Sequence, residues 1–427
     1  MKFTAAGDAL IQQRIPMDYA GFDAVRDYIC RGDARFFNLE TTLNYEGECF
    51  ASQFSGGTYL RTNPEVLDDL LRYGFNMTSF NNNHAMDFSY DGLLLTLDHI
   101  QARDLMQSGV GRNLHEAAAP HYLDTPEGRV ALISVNTTFD PSAMAGAQSR
   151  QFPGRPGING LRYSMKLIVT QEDMDTLMRI GNESGINDEF LAEVASGYHT
   201  PWAPGTYQLG NIPFAVGEKT GLVTQLNESD MNRVLKAIFE AQLQADYILV
   251  SFHTHDMTGV NENVPPFIQE FCHRCIDAGA HAVIGHGPHI LRGIEIYKDR
   301  PIFHSLGDFV LQLYSVSAAP EDFYEKQGLT SDVGVHALLK KRSKDFKIGL
   351  MEKPATQEAV IPYWEMEDGK LTKLELLPIT CYNKGNKAVA GLPVVAENPE
   401  FLEKLAELSK PYGVKMELVD GIVRCSW

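Results

Sequence analysis

The 427-residue sequence predicts an α/β fold, and three observations support that prediction. Short apolar segments of strand character alternate with amphipathic segments of helical spacing, polar side chains follow where the apolar segments end, and 44% of the residues are hydrophobic. Such a chain can bury a large core. Strands that alternate with helices favour a largely parallel or mixed sheet covered on both faces.

The first predicted elements lie in the N-terminal hundred residues. "KFTAAGD" reads as a strand ending at Asp8, and "ARFFNLE" as a strand ending at Asn38 and Glu40. "PEVLDDLLRYG" has helical spacing, with Pro64 at its start and Gly74 as its stop. "FNMTSFNNNH" is predicted as a strand with a polar end, and "DGLLLTLDHIQARD" as the amphipathic helix that follows it.

The remaining elements continue this alternation. Further strands are predicted in "RVALISVN", "DYILVSFHTH", "HAVIGHGPH" and "RPIFHSLGDF". Residues 141–235 lie between two predicted core strands, and we expect this insertion to form a lid or recognition wall. From residue 313 to 427 an Asp-Gly hairpin, a helix and a second hairpin predict a β-rich extension that braces the core domain of residues 1–312.

Charge and composition exclude several classes of protein. A formal net charge of -18 argues against nucleic-acid binding, which needs clustered lysines and arginines. The sequence as given has no apolar run of the roughly 18 residues that a membrane span needs, and no leader at its start, so we expect a cytoplasmic protein. Six cysteines are too sparse for a disulfide framework, and Cys272 with Cys275 is more typical of core or surface thiols than of a metal site.

Polar side chains follow the ends of five predicted strands. They are Asp8, Glu40, Asn83 with His84, His253 with His255, and His286 with His289. Each alone could be a cap, a turn or a surface histidine. Because ligands bind beyond the carboxyl ends of strands in α/β sheets, we expect the five ends to converge on one pocket. Carboxylate, amide and imidazole groups together predict one or two divalent transition metal ions, namely Mn, Zn, Fe or Co.

Several motifs together resemble one family. "AAGDAL", "FNLETTL", "NNNHAMDFSYDGLLLTLDHI", "GVGRNLHEA" and "GAHAVIGHGPHILRGIEIYKDRPIFHSLGDF" are similar, in the same order, to the CapA proteins of capsule and poly-γ-glutamate synthesis. The resemblance covers roughly residues 1–140 and 245–312. It implies a calcineurin-like metallophosphatase fold, a four-layered α/β/β/α sandwich whose loops hold two metals.

The resemblance also implies roles for individual residues. The implied metal ligands are Asp8, Glu40, Asn83, His253, His286 and His289. His84 would be the catalytic histidine that protonates the leaving group or stabilises an oxyanion. Leu10 stands where the wider superfamily has a ligand histidine, so His255 and Asp308 are further candidates, either as ligands or as groups that orient ligands.

The sequence contains fewer indications of the substrate than of the metal ligands. Four arginines on predicted loops are candidates for binding an anionic substrate, with solvated surface as the alternative: Arg61, Arg112, Arg155 and Arg292. Two functions stay open. One is a metal-dependent hydrolase that cleaves phosphoester or γ-glutamyl amide bonds in a small-molecule or polyglutamate-like substrate. The other is a non-catalytic accessory factor that binds polyglutamate or capsule polymer.

Overall fold

The computed structural model describes residues 1–381 and 386–427, with strands and helices numbered along the chain. The strands up to residue 161 are β1 (Lys2–Leu10), β2 (Ala34–Leu39), β3 (Thr42–Leu43), β4 (Arg61–Thr62), β5 (Met77–Ser79), β6 (Met106–Ser108), β7 (Val110–Gly111), β8 (His121–Thr125), β9 (Gly128–Asn136) and β10 (Gly157–Ile158). The later strands are β11 (Tyr163–Val169), β12 (Thr206–Leu209), β13 (Ile212–Val216), β14 (Gly221–Leu226), β15 (Tyr247–His253), β16 (Ala282–His286), β17 (Leu291–Tyr297), β18 (Arg300–Leu306), β19 (Asp308–Leu311), β20 (Glu358–Glu367), β21 (Lys370–Thr380), β22 (Val394–Val395), β23 (Lys415–Val419) and β24 (Ile422–Ser426).

The α-helices connect these strands. They are α1 (Phe22–Ile29), α2 (Val66–Leu71), α3 (Ser89–Gln101), α4 (Leu114–Ala118), α5 (Gln171–Ser184), α6 (Asp188–Ala195), α7 (Glu228–Gln242), α8 (Pro266–Asp277), α9 (Glu321–Glu325), α10 (Gly334–Arg342) and α11 (Phe401–Ser409). The longest helix in the described ranges is α7, whose 15 residues span about 22 Å. No helix of the described ranges is long and apolar enough to cross a membrane.

Two mixed sheets form the centre of the larger part of the chain. Within the described residues, ten strands make one sheet in the order β23-β24-β21-β20-β1-β2-β5-β6, with β19 paired to β1 and β22 to β21. Strands β1, β2, β5 and β6 run parallel. The second sheet has six strands in the order β17-β18-β16-β15-β9-β8, and its four central strands are parallel. Parallel neighbours carry their carboxyl ends to one edge, where the polar strand ends are expected to meet.

The two sheets pack face to face. Phe3 and Phe36 of the ten-stranded sheet share one buried apolar cluster with Leu132 and Ile284 of the six-stranded sheet. Each such side chain contributes roughly 1.5–3 kcal/mol on burial. The apolar faces of α1, α2 and α3 cover the other side of the ten-stranded sheet. The α/β fold, with helices around mixed sheets, is therefore confirmed.

Helix α8 covers the six-stranded sheet. Phe271 on this helix meets Phe252 on β15 at a ring-centroid distance of 6.0 Å. Cys272 and Cys275 are buried on the same helix, and burial raises the pKa of both thiols. All six cysteines of the chain are free. The Cys-x-x-Cys pair is therefore part of the core, as the sequence indicated.

The C-terminal region adds strands to the main sheet. Strand β20 pairs antiparallel with β1, and β21 pairs with β20 along its full length. Asp368 and Gly369 join β20 to β21 with φ angles of 49° and 74°, the left-handed pair that an Asp-Gly hairpin turn requires. The predicted β-rich C-terminal region is confirmed, and its strands neighbour the strand that carries Asp8.

Residues Arg162–Asp230 form a separate compact unit. It contains a four-stranded sheet in the order β12-β13-β11-β14, with α5 and α6. Its small core consists of Val169, Met174, Tyr207 and Phe214. The insertion predicted at residues 141–235 is wider than this unit, and its role as a lid stays a prediction.

Candidate metal centre

Strand register brings the predicted side chains together. Asp8 on β1 lies beside Asn38 on β2 and beside Asp308 on β19. His253 at the end of β15 lies beside His286 at the end of β16. Because the two sheets face each other, the carboxyl ends of both strand sets meet at one buried edge.

Asp8 is held in place from two sides. Its Oδ1 accepts a hydrogen bond from Asn38 Nδ2 at 2.7 Å, and its Oδ2 accepts one from the Gly287 amide at 2.8 Å. Gly287 has a φ of 113°, and a Cβ there would lie 2.7 Å from the carbonyl oxygen of Thr254. Only glycine therefore fits this close approach. Asp8 Oδ1 faces His286 Nδ1 at 3.4 Å and His253 Nδ1 at 3.9 Å.

Glu40 is a buried carboxylate without a hydrogen-bond donor. It follows β2 and is fully buried, and neither side-chain oxygen accepts a hydrogen bond from any residue of the described ranges. Its Oε1 lies 3.7 Å from His253 Nε2 and 4.0 Å from His289 Nε2. Asn83 Oδ1 and Asp308 Oδ2 are likewise buried without a donor in those ranges. Burying such acceptors costs folding free energy unless a cation or a hydrogen-bond donor contacts them.

The histidines are oriented by neighbouring side chains. Ser251 Oγ lies 2.7 Å from His286 Nε2, which leaves Nδ1 directed at Asp8. Asp308 Oδ1 lies 2.8 Å from His289 Nδ1, which directs Nε2 toward Glu40. His289 has a φ of 57°, an uncommon left-handed conformation for a residue with a side chain. Uncommon backbone geometry of this kind clusters at functional sites.

Three groups of side chains could hold a metal ion. Their ligand atoms lie within 4.8 Å of one another, and the groups are Asp8 with His253 and His286, Glu40 with His253 and His255, and Asp8 with His289 and Asp308. His253 links two groups because its Nδ1 lies toward Asp8 and its Nε2 lies 3.2 Å from His255 Nε2. The mixture of imidazole and carboxylate suits divalent transition metals. The residues therefore fit the predicted metal, whose identity the geometry leaves open.

The electrostatics of these groups are strongly perturbed. Burial raises the pKa of Glu40 well above its ordinary value, and the charges of Asp8 and Asp308 raise it further. Burial lowers the pKa of His253 well below its ordinary range and that of His255 to about 3, so both imidazoles are neutral near pH 7. Burial opposes ionisation of Asp8, yet the contact with His286 holds its pKa below the ordinary range. Neutral imidazoles and an ionised carboxylate are the protonation states that bind metals.

His84 lies beside this cluster and is held by Asp87. The distance from His84 Nδ1 to Asp87 Oδ2 is 2.6 Å. Asp87 is fully buried and also accepts hydrogen bonds from the amides of Gly56 at 3.0 Å and Leu60 at 2.8 Å. A Cβ at Gly56 would lie 2.6 Å from His84 Nε2, so the bare backbone of Gly56 leaves room for the imidazole.

A cavity of about 580 Å³ opens next to the candidate metal centre. His84, His255 and His289 line one side of it, and Leu10 lies at the same end of β1 as Asp8. In the described ranges its lining includes Arg342, Ser343 and Lys353 of the C-terminal region but none of the four predicted substrate arginines. A substrate in this cavity would contact both the histidines and residues 313–353.

The four predicted substrate arginines have other partners. Arg61 is buried and donates to the carbonyl of Asn44 and to Ser317 Oγ, and it lines a different cavity of about 660 Å³. Exposed Arg112 pairs with Asp98 at 3.1 Å, and exposed Arg155 donates to the Met144 carbonyl. Buried Arg292 donates to the carbonyls of Asp256 and Asn261. Their roles in binding substrate stay predictions.

Sequence reasoning missed several residues that shape the site. Asn38, Ser251 and Asp87 contact Asp8, His286 and His84 respectively. Asp87 has a sequence signal, because it follows His84 by three residues in "NNNHAMD". Arg342 lines the same cavity as His84 although the two residues are more than 250 positions apart. No sequence pattern around Arg342 indicates that it lies there.

Comparisons with known proteins place the chain among proteins of capsule synthesis. Residues 2–313 match the family described as "Bacterial capsule synthesis protein PGA_cap". The chain is 30% identical over 440 residues to an uncharacterized protein of Sinorhizobium fredii, covering 98% of this chain and 92% of that protein. It is 32% identical over 348 residues to the PGA biosynthesis protein CapA of Bacillus subtilis, covering 78% of this chain and 70% of that protein. A probable polyglutamine synthesis accessory protein of Mycobacterium tuberculosis is 24% identical over 279 residues, covering 65% of this chain and 55% of that protein.

Proposed function

Because the chain belongs to the bacterial capsule synthesis protein family PGA_cap, we propose that it acts in capsule or poly-γ-glutamate synthesis as a metal-dependent hydrolase. The proposed reaction is cleavage of a phosphoester or γ-glutamyl amide bond in a small-molecule or polyglutamate-like substrate. One observation carries the proposal. Glu40 is a fully buried carboxylate without a hydrogen-bond donor in the described ranges, and it faces two histidines next to a cavity.

The side chains of the three candidate metal-binding groups would together bind the ions. Asp8, Glu40, Asn83, His253, His255, His286, His289 and Asp308 supply the ligand atoms or orient them. A bound divalent cation supplies an acidic water and stabilises negative charge that develops on the substrate. Asn38 and Gly287 fix the two oxygens of Asp8, and Ser251 fixes the ring of His286. Such supporting contacts keep ligands in position.

His84 is the residue proposed to move a proton. The Asp87 carboxylate fixes Nδ1 and leaves Nε2 free to act beside the cavity. When Nδ1 carries its hydrogen toward Asp87, Nε2 of the imidazolium can donate a proton to the leaving group. Asp87 also fixes the orientation of the ring, much as a carboxylate orients a catalytic histidine elsewhere.

A non-catalytic role is the second candidate. One similar protein is called a synthesis accessory protein, and an accessory factor would use the same cavity to bind polymer. The two candidates differ in what His84 and its Asp87 partner do. A binding protein has no need of a histidine that a buried carboxylate orients toward the cavity, so the His84–Asp87 pair favours the hydrolase.

Elemental analysis and an activity screen test the proposal together. The purified chain is loaded separately with Mn, Zn, Fe and Co, and then assayed on bis(p-nitrophenyl) phosphate, p-nitrophenyl phosphate and γ-glutamyl-p-nitroanilide. We expect one or two bound ions per chain and metal-dependent turnover of at least one substrate. A chain that retains no transition metal under any loading condition, or that turns over substrate equally well after chelation, would contradict the hydrolase.

A further inference from the structure

One wall of the cavity beside His84 is built by residues that follow the family match. The matched region ends at residue 313, and the cavity is lined after that point by Leu339, Arg342, Ile348, Leu350 and Met351. His84, His255 and His289 lie on the other side of the same cavity. The C-terminal region therefore supplies the surface that a substrate would contact while its reacting group lies at the histidines.

Arg342 is held in position by two neighbours. It is the last residue of α10, and its Nη1 donates a hydrogen bond to Thr58 Oγ1. Its guanidinium also lies over the ring of Phe323 at 5.2 Å from the ring centroid, a cation–π contact. No residue of the described ranges accepts a hydrogen bond from its Nη2. The guanidinium is thus fixed at one end and open to a ligand at the other.

Two adjacent glycines separate Arg342 from His84. A Cβ at Gly56 would lie 2.6 Å from His84 Nε2, and a Cβ at Gly57 would lie 3.8 Å from Arg342 Nη2. Gly56 and Gly57 are consecutive residues, so their Cα atoms are about 3.8 Å apart. The His84 imidazole and the Arg342 guanidinium therefore lie beside neighbouring residues of one backbone segment. A ligand in the cavity can therefore contact both groups.

The cavity lining carries few lysine or arginine side chains. Among the described residues that line the cavity, the lysine and arginine residues are Arg342 and Lys353. Leu10, Leu339 and Ile348 in the same lining are apolar. A long polyanion would need cations repeated along its path. Few cationic side chains among apolar neighbours instead match a ligand that has one acidic group attached to a short apolar chain.

We propose that Arg342 binds the acidic group of the substrate and determines specificity for it. The acidic group lies on Arg342, the apolar chain packs against Leu339 and Ile348, and the reacting bond lies at His84. The orientation of the reacting bond rests on the proposed function. Binding of the acidic group rests only on the cavity and the fixed guanidinium, so it can be measured without turnover.

Ligand-observed NMR titrations of 4-phenylbutanoate and 4-phenylbutanamide test this inference. The full chain is first freed of metal by chelation, so that an acid cannot bind through a cation. We expect the acid to bind wild type at least about ten-fold more tightly than the amide, since a charge-assisted pair is worth that much. Arg342→Gln should reduce the preference to within about two-fold, and Arg342→Lys should keep part of it because the charge remains.

Lys340→Gln is the matched control. It removes the same charge from the same helix, and among the described residues the Lys340 side chain forms an ion pair only with exposed Asp345, at 3.7 Å. The control should keep the full preference for the acid, with a melting temperature close to that of Arg342→Gln. Equal binding of acid and amide to wild type overturns the inference, and so does a preference that survives Arg342→Gln. A preference for the acid in a chain without hydrolase activity would contradict the proposed function alone.

Discussion

Two glutamates of the protein, Glu295 and Glu40, are each buried beside histidines, but they differ in their hydrogen bonds. Glu295 accepts from His273 Nε2 at 2.6 Å and from His304 Nε2 at 3.1 Å, so each carboxylate oxygen has a partner. Glu40 lies among histidines too, yet neither of its oxygens has a donor in the described ranges. A carboxylate with histidines is therefore not itself a sign of a metal site. The distinguishing feature is the acceptor that the protein leaves open.

The pKa values of the two glutamates move in opposite directions. Burial raises the pKa of Glu295, but the hydrogen bonds from His304 and His273 outweigh it and lower the pKa overall. Burial and the carboxylates Asp8 and Asp308 all raise the pKa of Glu40. The Glu295 carboxylate has its hydrogen-bond donors within the protein, whereas the Glu40 carboxylate has open acceptors that fit a cation.

The largest expected difference between the clusters is in catalysis. His84→Gln should lower kcat on an active substrate by roughly 10² to 10⁴ while metal content stays the same, because proton transfer is lost. His273→Gln, which breaks a contact with Glu295, should leave kcat within about two-fold of wild type. Steady-state kinetics with parallel elemental analysis measure both. Loss of metal from His84→Gln would make His84 a ligand and contradict its assigned role.

Metal affinity should separate the two glutamates next. Glu40→Gln should weaken binding of Zn or Mn by about 100-fold or more, since removal even of a residue that only orients a ligand costs 10- to 100-fold. Glu295→Gln should bind as wild type does. Competition titrations against a chromophoric chelator give both constants. Similar losses in the two variants would show that the comparison reflects general destabilisation.

Stability of the metal-free protein should change in opposite directions. Glu40→Gln removes a buried carboxyl group whose ionisation burial opposes, and it should raise the free energy of unfolding by about 1–2 kcal/mol. Glu295→Gln replaces one of the two accepting oxygens by an NH2 group, so one histidine loses its acceptor and the free energy of unfolding should fall by about 1–3 kcal/mol. Urea unfolding in the presence of a chelator measures both. If Glu40→Gln destabilises the metal-free chain, Glu40 has a partner in that state and the contrast fails.

The smallest expected effect is a pH dependence at Glu295. Its pKa in the folded protein lies below the ordinary value of 4.5, so its carboxylate contributes stability above that pH and loses it as pH falls through the folded value. The difference in unfolding free energy between wild type and Glu295→Gln should be full near neutral pH and shrink by about 1 kcal/mol on acidification. Urea titrations across this range test the sign. A difference that grows on acidification would contradict it.

Much of the fold and of the centre was predictable from local patterns. The strands predicted in "KFTAAGD" and "ARFFNLE" are present, although β1 continues two residues beyond the predicted end at Asp8 and β2 ends at Leu39, just before Glu40. The resemblance to CapA proteins is confirmed by the family match. The helix predicted in "DGLLLTLDHIQARD" corresponds to α3, Ser89–Gln101. These predictions succeed because alternation, helical spacing and polar strand ends are properties of neighbouring residues.

Other features depend on residues that are far apart in the chain. The wall containing Arg342 and the pairing of β20 with β1 join residues separated by hundreds of positions. The sequence indicated a brace in this region, but no local pattern indicates which cavity its side chains line. The four arginines were selected by their loop positions alone, and their hydrogen bonds lie elsewhere.

The sequence by itself determined that carboxylate, amide and imidazole groups follow the ends of apolar strands. Only the tertiary structure decided which of them remain open. Glu40 and Glu295 both lie near histidines once the chain folds, and hydrogen-bond geometry completes one and leaves the other for a cation. The physical reason is that partner choice depends on distances of a few ångströms between strands, which strand order and register set.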